Sequence, residues 1–327
     1  MSKATAVGPS NIAFTKYWGR KDEILRLPEN GSVSMNLSNL LTTTTVAFSD
    51  SLTSDEITIN GGGLEEGETA RVIKHLDRVR KLANINLKTR VVSSNNFPSG
   101  TGLSSSASGF AALTLAASAA AGLKLSEKEL SILARQGSGS ACRSIPSGFV
   151  EWLDGDTSET SYAVQIFPSS HWAIADVVGV VSEGKKEVST SAGQQSAQSS
   201  PFMPLRLSRM KGKNEQVKKL IEEKNFKEFG QLLEAEALEL HTIMLTQIPA
   251  LIYWTPGTLR IMKLVNHWRA EGIPVYFTIN TGQDIHLICE EENIHKVQKK
   301  LGHLEEVRDI IINTPGEGAR LTHQHLF

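Results

Sequence analysis

Residues 95–113, NNFPSGTGLSSSASGFAAL, constrain this chain more than any other stretch. A β-prone run from Thr89 to Ser93 leads in, and Pro98, Gly100 and Gly102 interrupt it. A small-residue helical pattern then runs from about Ser104 to Ala121. Strand, glycine–serine loop and helix in that order form a cradle for an oxyanion. Glycine lets the backbone come close to a ligand and take positive φ. The helix start offers unpaired N–H groups and the positive end of the helix dipole. The hydroxyls of Ser104, Ser105, Ser106 and Ser108 add donors. Phe110, Leu113 and Leu115 just beyond favour an ordered helix over a flexible linker. Two common phosphate loops do not fit: no lysine follows Gly102 as in G-x-x-x-x-G-K-S/T, and there is no G-x-G-x-x-G.

The other candidate ligand groups are local clusters. With a net charge of −1 over 327 residues, the chain has no global electrostatic case for nucleic acid. An anionic ligand must therefore be held by particular side chains. Lys16, Tyr17, Arg20 and Lys21 crowd together around Trp18, either as the solvated basic end of an edge strand or as a grip on an anion. The spacing predicts a helix over 66–83 with Ile73, Leu76, Val79 and Leu82 on its apolar face. A second helix starts at a capping box, Ser126 with Glu129. GSGSACRS follows its end. Ser138 and Ser140 again suit an oxyanion, and the Arg143 fork suits a carboxylate or phosphate.

Further on, AIADVVGVV (173–181) reads as a buried strand and 201–270 as mostly helical, including a helical hairpin. His241 within it has no partner at metal spacing and reads as structural or pocket-lining. Tyr253 and Trp254 read as core. IPVYFTINTGQDIHLICE (273–290) reads as strand, loop, strand, and SAGQQSAQSSPF (191–202) as a linker-like flap. The length gives room for two domains. Cys142 and Cys289 form neither a disulfide framework nor a metal spacing, so a reducing, cytoplasmic setting is expected. The first residues hold no apolar export segment, and no run of ~18 apolar residues occurs, so no membrane partner is expected.

P-x-x-x-G-L-x-S-S-A, read as Pro98, Gly102, Leu103, Ser105, Ser106 and Ala107, resembles the ATP-binding loop of the GHMP kinase superfamily. The longer form, and with it NIAFTKYWGRKD…LPENGSVSMNLS, GSGSACRS and EGKKEVSTSAGQ in the same order, resembles one branch. That branch is the mevalonate diphosphate decarboxylase and phosphomevalonate decarboxylase family. The resemblance implies an α+β GHMP kinase fold. An N-terminal ATP-binding domain would span 1–185, a C-terminal domain with an antiparallel sheet 186–327, and the site would lie in the cleft between them. It implies ATP held by Asn96, Pro98, Gly100, Gly102, Leu103, Ser104, Ser105, Ser106 and Ser108, with Mg²⁺ at Ser106. Lys16 would sit by the transferred phosphoryl group and Arg143 on the substrate carboxylate. Tyr17, Arg20, Lys21, Ser138, Ser140 and Gln194 would line the substrate. Gln194 stands where methionine is usual in the family, and it reads either as a polar contact to the substrate tail or, the favoured of the two, as a tolerated surface exchange. The family's aspartate at the substrate 3-hydroxyl falls on Asn280, which carries no charge and cannot act as a base. Asp284 is the alternative carboxylate, and an engineered Asp-to-Asn exchange is a third reading.

The implied reaction is ATP-dependent decarboxylation of a phosphorylated mevalonate: the tertiary 3-hydroxyl is phosphorylated, that phosphate leaves, and CO₂ departs. Glu68 and Thr69 stand where the family carries a diphosphate-binding arginine, which makes mevalonate 5-phosphate the expected substrate. Mevalonate 5-diphosphate is the alternative. A mevalonate 3-kinase-like enzyme or a non-catalytic GHMP sensor is the second alternative. A homodimer is left open.

Overall fold

The computed structural model describes residues 3–181, 184 and 187–327; Lys185 and Lys186 of the EGKKEVSTSAGQ stretch lie outside the described residues. The first strand, β1 (Lys3–Ala13), pairs antiparallel with the long β4 (Ser32–Ser49), whose TTTTV run suits a pleated, half-buried surface. Between them, β2 (Arg20–Asp22) and β3 (Leu27–Pro28) form a separate small hairpin. β5 (Glu56–Ile59) runs parallel to β6 (Lys88–Asn95), joined through α1 (Glu66–Ala83), since a parallel pair needs a crossover. α2 (Ser105–Ala120) leaves the end of β6 and lies against β1 and β4. Only glycine fits at position 8, where a Cβ would stand 2.4 Å from the Ser108 carbonyl oxygen. α3 (Glu127–Gly137) begins at the Ser126–Glu129 capping box and is followed by a 3-10 turn, Gly139–Ser144. β7 (Phe149–Trp152), β8 (Ala163–Phe167) and the returning β13 (Arg320–Thr322) complete a seven-stranded sheet.

The second sheet is antiparallel. It combines β9 (Ile174–Val180), β10 (Val275–Thr278), β11 (Ile285–Glu290) and β12 (Asp309–Asn313) in the order β10-β11-β9-β12. Its helices are the short α4 (Thr190–Gly193), α5 (Met203–Glu222), α6 (Phe226–Thr246), α7 (Pro256–Ala270) and α8 (Ile294–Gly302). α5 and α6 form the expected hairpin. One apolar cluster runs through both halves. Ile12, Phe14, Met35 and Phe149 from the first sheet meet Ile174, Phe229 and Ile288 from the second half. Phe14 and Phe229 are in edge-to-face contact at 4.9 Å. That shared core fixes the cleft above it.

The expected α+β architecture, with an antiparallel sheet in the second half, is borne out. Four details differ from the sequence reading. β9 belongs wholly to the second sheet, so the sheets divide ahead of Ile174 rather than at 185. β1 is not an edge strand: β13 closes its open side. α1 is turned about one residue from the expected phase. It buries Val72, His75, Leu76, Val79 and Arg80, while Leu82 is 56% exposed. The cause is polar as much as apolar, because His75 bonds Thr114 Oγ1 at 2.9 Å and meets Phe110 edge-on. The expected flap is folded into α4 and a 3-10 turn, Gln194–Ser199. Gln247 Nε2 ties it down by donating to the Gly193 carbonyl at 2.8 Å.

Candidate active site

A cavity of about 520 Å³ opens where the two halves meet. Its first wall is the start of α2. Gly100 and Gly102 have φ of 82° and 119°, and Ser104 at the N-cap has φ of 59°. The glycine loop touches the 280s loop backbone to backbone. A Cβ on Gly102 would stand 2.7 Å from Gly282 Cα, and Gln283 N donates to Thr101 O at 3.2 Å. Gly100, Gly102, Ser104, Ser105 and Ser106 line the cavity, and Ser106 Oγ lies 3.3 Å from Ser138 Oγ. The remaining residues expected in the cradle do other work. Leu103 is buried in the shared core. Ser108 bonds Thr42 Oγ1 at 2.6 Å, fastening α2 to β4. Asn96 accepts from Leu41 N and donates to Asn39 O, closing the loop's base. Pro98 is not in the wall, whereas Asn95 and Ser99 are.

The second wall is cationic. Arg20 donates through Nε to Tyr17 Oη at 3.0 Å, and its Nη2 lies 3.4 Å from Ser191 Oγ. Arg26 reaches the same Ser191 hydroxyl at 3.4 Å. Arg71 donates to Gly137 O at 3.0 Å and lies over the Phe110 ring at 4.5 Å. Burial, with Arg26 and Arg20 adding repulsion, pushes Arg71 down to about 9; burial and Arg20 also lower Arg26. Three guanidiniums therefore face one cavity. Arg20 is held charged, against its burial, by Tyr17 and Glu23, while Arg26 and Arg71 are weakened by burial and by their cationic neighbours, which an anion relieves. Glu68 lines the same wall. Lys21 does not: its amine turns outward to Asp156 Oδ1 at 2.7 Å and to Asp154 O at 3.2 Å. Arg26 went unnoticed in the sequence because the β2–β3 hairpin brings it back beside Arg20. The available signal was a basic residue on each side of a short turn that ends in LP.

Behind the third wall lie the groups expected to act on the substrate. Ser138 and Ser140 line the cavity, with Gly139 between them. Gly139 has no room for a Cβ, which would stand 2.9 Å from Tyr17 Oη. Arg143 is buried. Its guanidinium donates to Asn11 Oδ1 at 3.0 and 3.3 Å and to Ser32 Oγ at 2.6 Å, with Trp152 beneath it at 5.8 Å. Lys16 is 2% exposed, and its amine donates to Ala13 O at 2.6 Å and Asn280 Oδ1 at 3.1 Å. The Asn280 amide nitrogen donates in turn to Ser104 Oγ at 3.2 Å, and the Asn280 backbone carbonyl meets His241 Nε2 at 3.0 Å. The His241 ring stacks on Trp254 at 4.6 Å, and burial pushes it down to about 3, so it is a neutral prop for the loop. Tyr253 is core, as expected, with its hydroxyl donating to Val188 O.

Two sequence readings change here. Asp284 does not substitute for a carboxylate at 280. It is buried at the start of β11, and its Oδ1 accepts from Val181 N at 3.0 Å, where it caps the end of β9. Gln194 is not a surface exchange. It is 4% exposed, lines the cavity, and its Oε1 has no hydrogen-bond partner among the described residues.

Residues 8–163 match the diphosphomevalonate decarboxylase-like N-terminal domain, and residues 176–318 match the mevalonate 5-diphosphate decarboxylase C-terminal domain. The diphosphomevalonate decarboxylase of Candida albicans is 36% identical over 326 residues, covering 93% of this chain and 90% of that protein. The human diphosphomevalonate decarboxylase is 33% identical over 325 residues, covering 93% and 80%. Among solved structures, MDDEF in complex with MVAPP, AMPPCP and magnesium superposes with a TM-score of 0.92 at 37% identity, over 98% of each chain. The mevalonate diphosphate decarboxylase of Staphylococcus aureus superposes with a TM-score of 0.92 at 35% identity, again over 98% of each chain.

Proposed function

Because the chain belongs to the diphosphomevalonate decarboxylase family, a family of ATP-dependent carboxy-lyases, we propose that it converts mevalonate 5-diphosphate and ATP to isopentenyl diphosphate, ADP, phosphate and CO₂. The observation that carries the choice of substrate is the wall formed by Arg20, Arg26 and Arg71. The expectation of a 5-phosphate rested on Glu68 and on counting Arg20 and Lys21 as the cations at that end. Lys21 is engaged elsewhere, and two further arginines stand in its place. A second phosphate needs compensating charge in a partly desolvated site, and Arg26 and Arg71 supply it despite Glu68. The names of the relatives favour the diphosphate as well.

In this reading the start of α2 takes the nucleotide phosphates through backbone N–H groups and the hydroxyls of Ser104, Ser105 and Ser106. Magnesium fits the donor set: the Ser106 and Ser138 hydroxyls offer hard oxygen at the cavity wall, and no cluster of three or more His, Cys, Asp or Glu competes among the described residues. When bound, the ion draws off negative charge on the transferring phosphoryl group. Arg143 has five N–H donors, of which three are engaged with Asn11 and Ser32. The other two are left for the substrate carboxylate. Asn280 aligns the tertiary hydroxyl but cannot take its proton.

The test is mass spectrometry of the products formed with Mg-ATP from mevalonate, its 5-phosphate and its 5-diphosphate. The expected outcome is isopentenyl diphosphate, with kcat/KM for the 5-diphosphate at least about tenfold above that for the 5-phosphate. A preference for the 5-phosphate overturns the substrate assignment. A stable 3-phosphorylated product without CO₂ replaces the decarboxylase with a kinase.

A further inference from the structure

The phosphoryl acceptor has to meet the γ-phosphate at the mouth of α2. Ser104 stands at that mouth, receives a hydrogen bond from the Asn280 amide, and through that amide is linked to the Lys16 amine. We propose that Lys16, as the neutral amine, is the general base that removes the proton of the acceptor hydroxyl in this chain. This deepens the decarboxylase reading and rests on its phosphoryl-transfer step.

Hydrogen-bond counting supports it first. A lysine ammonium carries three donors, and a neutral amine carries two donors and one lone pair. The Lys16 amine has two acceptors among the described residues, Ala13 O and Asn280 Oδ1. Those two acceptors satisfy both donors of the neutral amine, whose lone pair then serves a hydroxyl; an ammonium would use the same position as a third donor, and the charges around it decide between the two. An aspartate at 280 would instead set an anion against the amine and hold it charged. Asn280 keeps the shape of that contact and removes the anion.

The surrounding charges point the same way. From the 3-10 turn after α3, Arg143 faces Lys16, and from α5 Arg206 does so; both oppose a further positive charge. Glu236 of α6 and Asp176 of β9 favour it, but both are engaged. Glu236 takes Arg206 at 2.6 Å, Lys213 at 2.7 Å and the Lys16 backbone N–H at 2.9 Å, and Asp176 holds His286 at 2.9 Å. His241 of α6 is neutral. Burial above all, countered by Glu236 and reinforced by Arg143, pushes the amine down to about 7, where a base is most effective near neutral pH.

The step balances. The hydroxyl O–H bond breaks and its proton goes to the Lys16 lone pair. The hydroxyl oxygen forms a bond to the γ-phosphorus as the bond from that phosphorus to the bridging oxygen breaks, releasing ADP. When CO₂ departs, the electrons of the C–C bond form the alkene and expel the 3-phosphate. The Lys16 ammonium returns its proton to that phosphate.

The sign of the pH dependence tests this. Log kcat/KM of the wild type is expected to rise with pH through about 7 and then level off. In Lys16→Arg, which keeps the charge and cannot be deprotonated, that limb disappears and kcat falls about 10²–10⁴-fold, while calorimetric affinity for Mg-ATP stays within about threefold. Asn280→Asp also removes the limb near neutrality. A wild-type rate that falls with pH through neutrality makes Lys16 an electrostatic cation and overturns the proposal, as does a rising limb that persists in Lys16→Arg. Nitrogen-15 NMR of the Lys16 amine gives an answer independent of turnover and of either variant's folding. Titration near neutrality supports the base, and titration close to the ordinary lysine value of 10.5 overturns it. A wild type that converts neither phosphorylated mevalonate removes the decarboxylase reading and the base with it. A wild type that makes product with no rising limb removes the base alone.

Discussion

Arg143 shows how a buried cation can be fixed and still available. Its planar fork grips Asn11 with two N–H groups and Ser32 with a third. Lysine cannot reproduce that geometry. Arg143→Lys is expected to lower kcat/KM at least about tenfold, about 1.4 kcal/mol of transition-state stabilisation, which steady-state kinetics with the 5-diphosphate will read. Arg71 is the complementary case: it lines the anion wall, held by the Gly137 carbonyl and the Phe110 ring, away from Lys16 and Asn280. Arg71→Met is expected to raise KM for the 5-diphosphate about tenfold or more with kcat nearly unchanged, and to affect the 5-phosphate less. Arg143 was legible because GSGSACRS resembles the family's carboxylate-binding turn. Arg26 was not, because it faces the cavity only after distant segments pack around it.

At the scale of elements, the nucleotide loop and the 280s loop form a single unit. A Cβ on Gly282 would stand 2.2 Å from Thr101 O and 2.3 Å from Gly102 Cα, both backbone atoms that cannot swing aside. Gly282→Ala must push the two loops apart. Overpacking of this kind costs about 1–3 kcal/mol, and it also separates Asn280 from Ser104. Lower thermal stability together with at least about tenfold weaker Mg-ATP binding is the expected result; unchanged nucleotide affinity in the folded variant would disconnect the loops functionally. The strand–loop–helix order on the first side was readable from glycines, serines and the apolar run that follows. The contact with Gly282 was not, since nothing local in TINTGQD marks which backbone it will meet.

At the scale of the whole molecule, a buried charge network joins the helical hairpin to the end of β1. Arg206 of α5 donates to Glu236 of α6 and to the Lys16 carbonyl, and Lys213 completes the pair. Burial alone would raise the Glu236 carboxyl, but Arg206 and Lys213 outweigh it and hold it below its ordinary value of 4.5. A carboxylate lowered in the folded state contributes stability above its unfolded pKa, and that contribution is lost as pH falls through the folded value. Glu236→Gln removes the more buried of the two carboxylates on Arg206 and leaves it Glu239 at 2.9 Å. The expected loss at neutral pH is about 3–5 kcal/mol, with a shallower acid limb below about pH 4.5, measurable by denaturant unfolding across pH.

Taken alone, the sequence determined the elements and their chemistry. The small-residue helix after a glycine loop, the capping box at Ser126 and the mostly apolar, buried β9 follow from local periodicity and turn residues. The cluster around Lys16 and the Arg143 octapeptide pointed to anion binding through their resemblance to the family's motifs. Tertiary structure decided which of those groups share a cavity. It turned Lys21 and Asp284 away, brought Arg26 and Arg71 in beside Arg20, and bonded Asn280 between Lys16 and Ser104. The physical reason is that side-chain direction depends on helix phase, hairpin register and loop contacts between residues more than a hundred positions apart. Desolvation, which lowers the Lys16 amine and the Arg26 and Arg71 guanidiniums, exists only once those segments have closed.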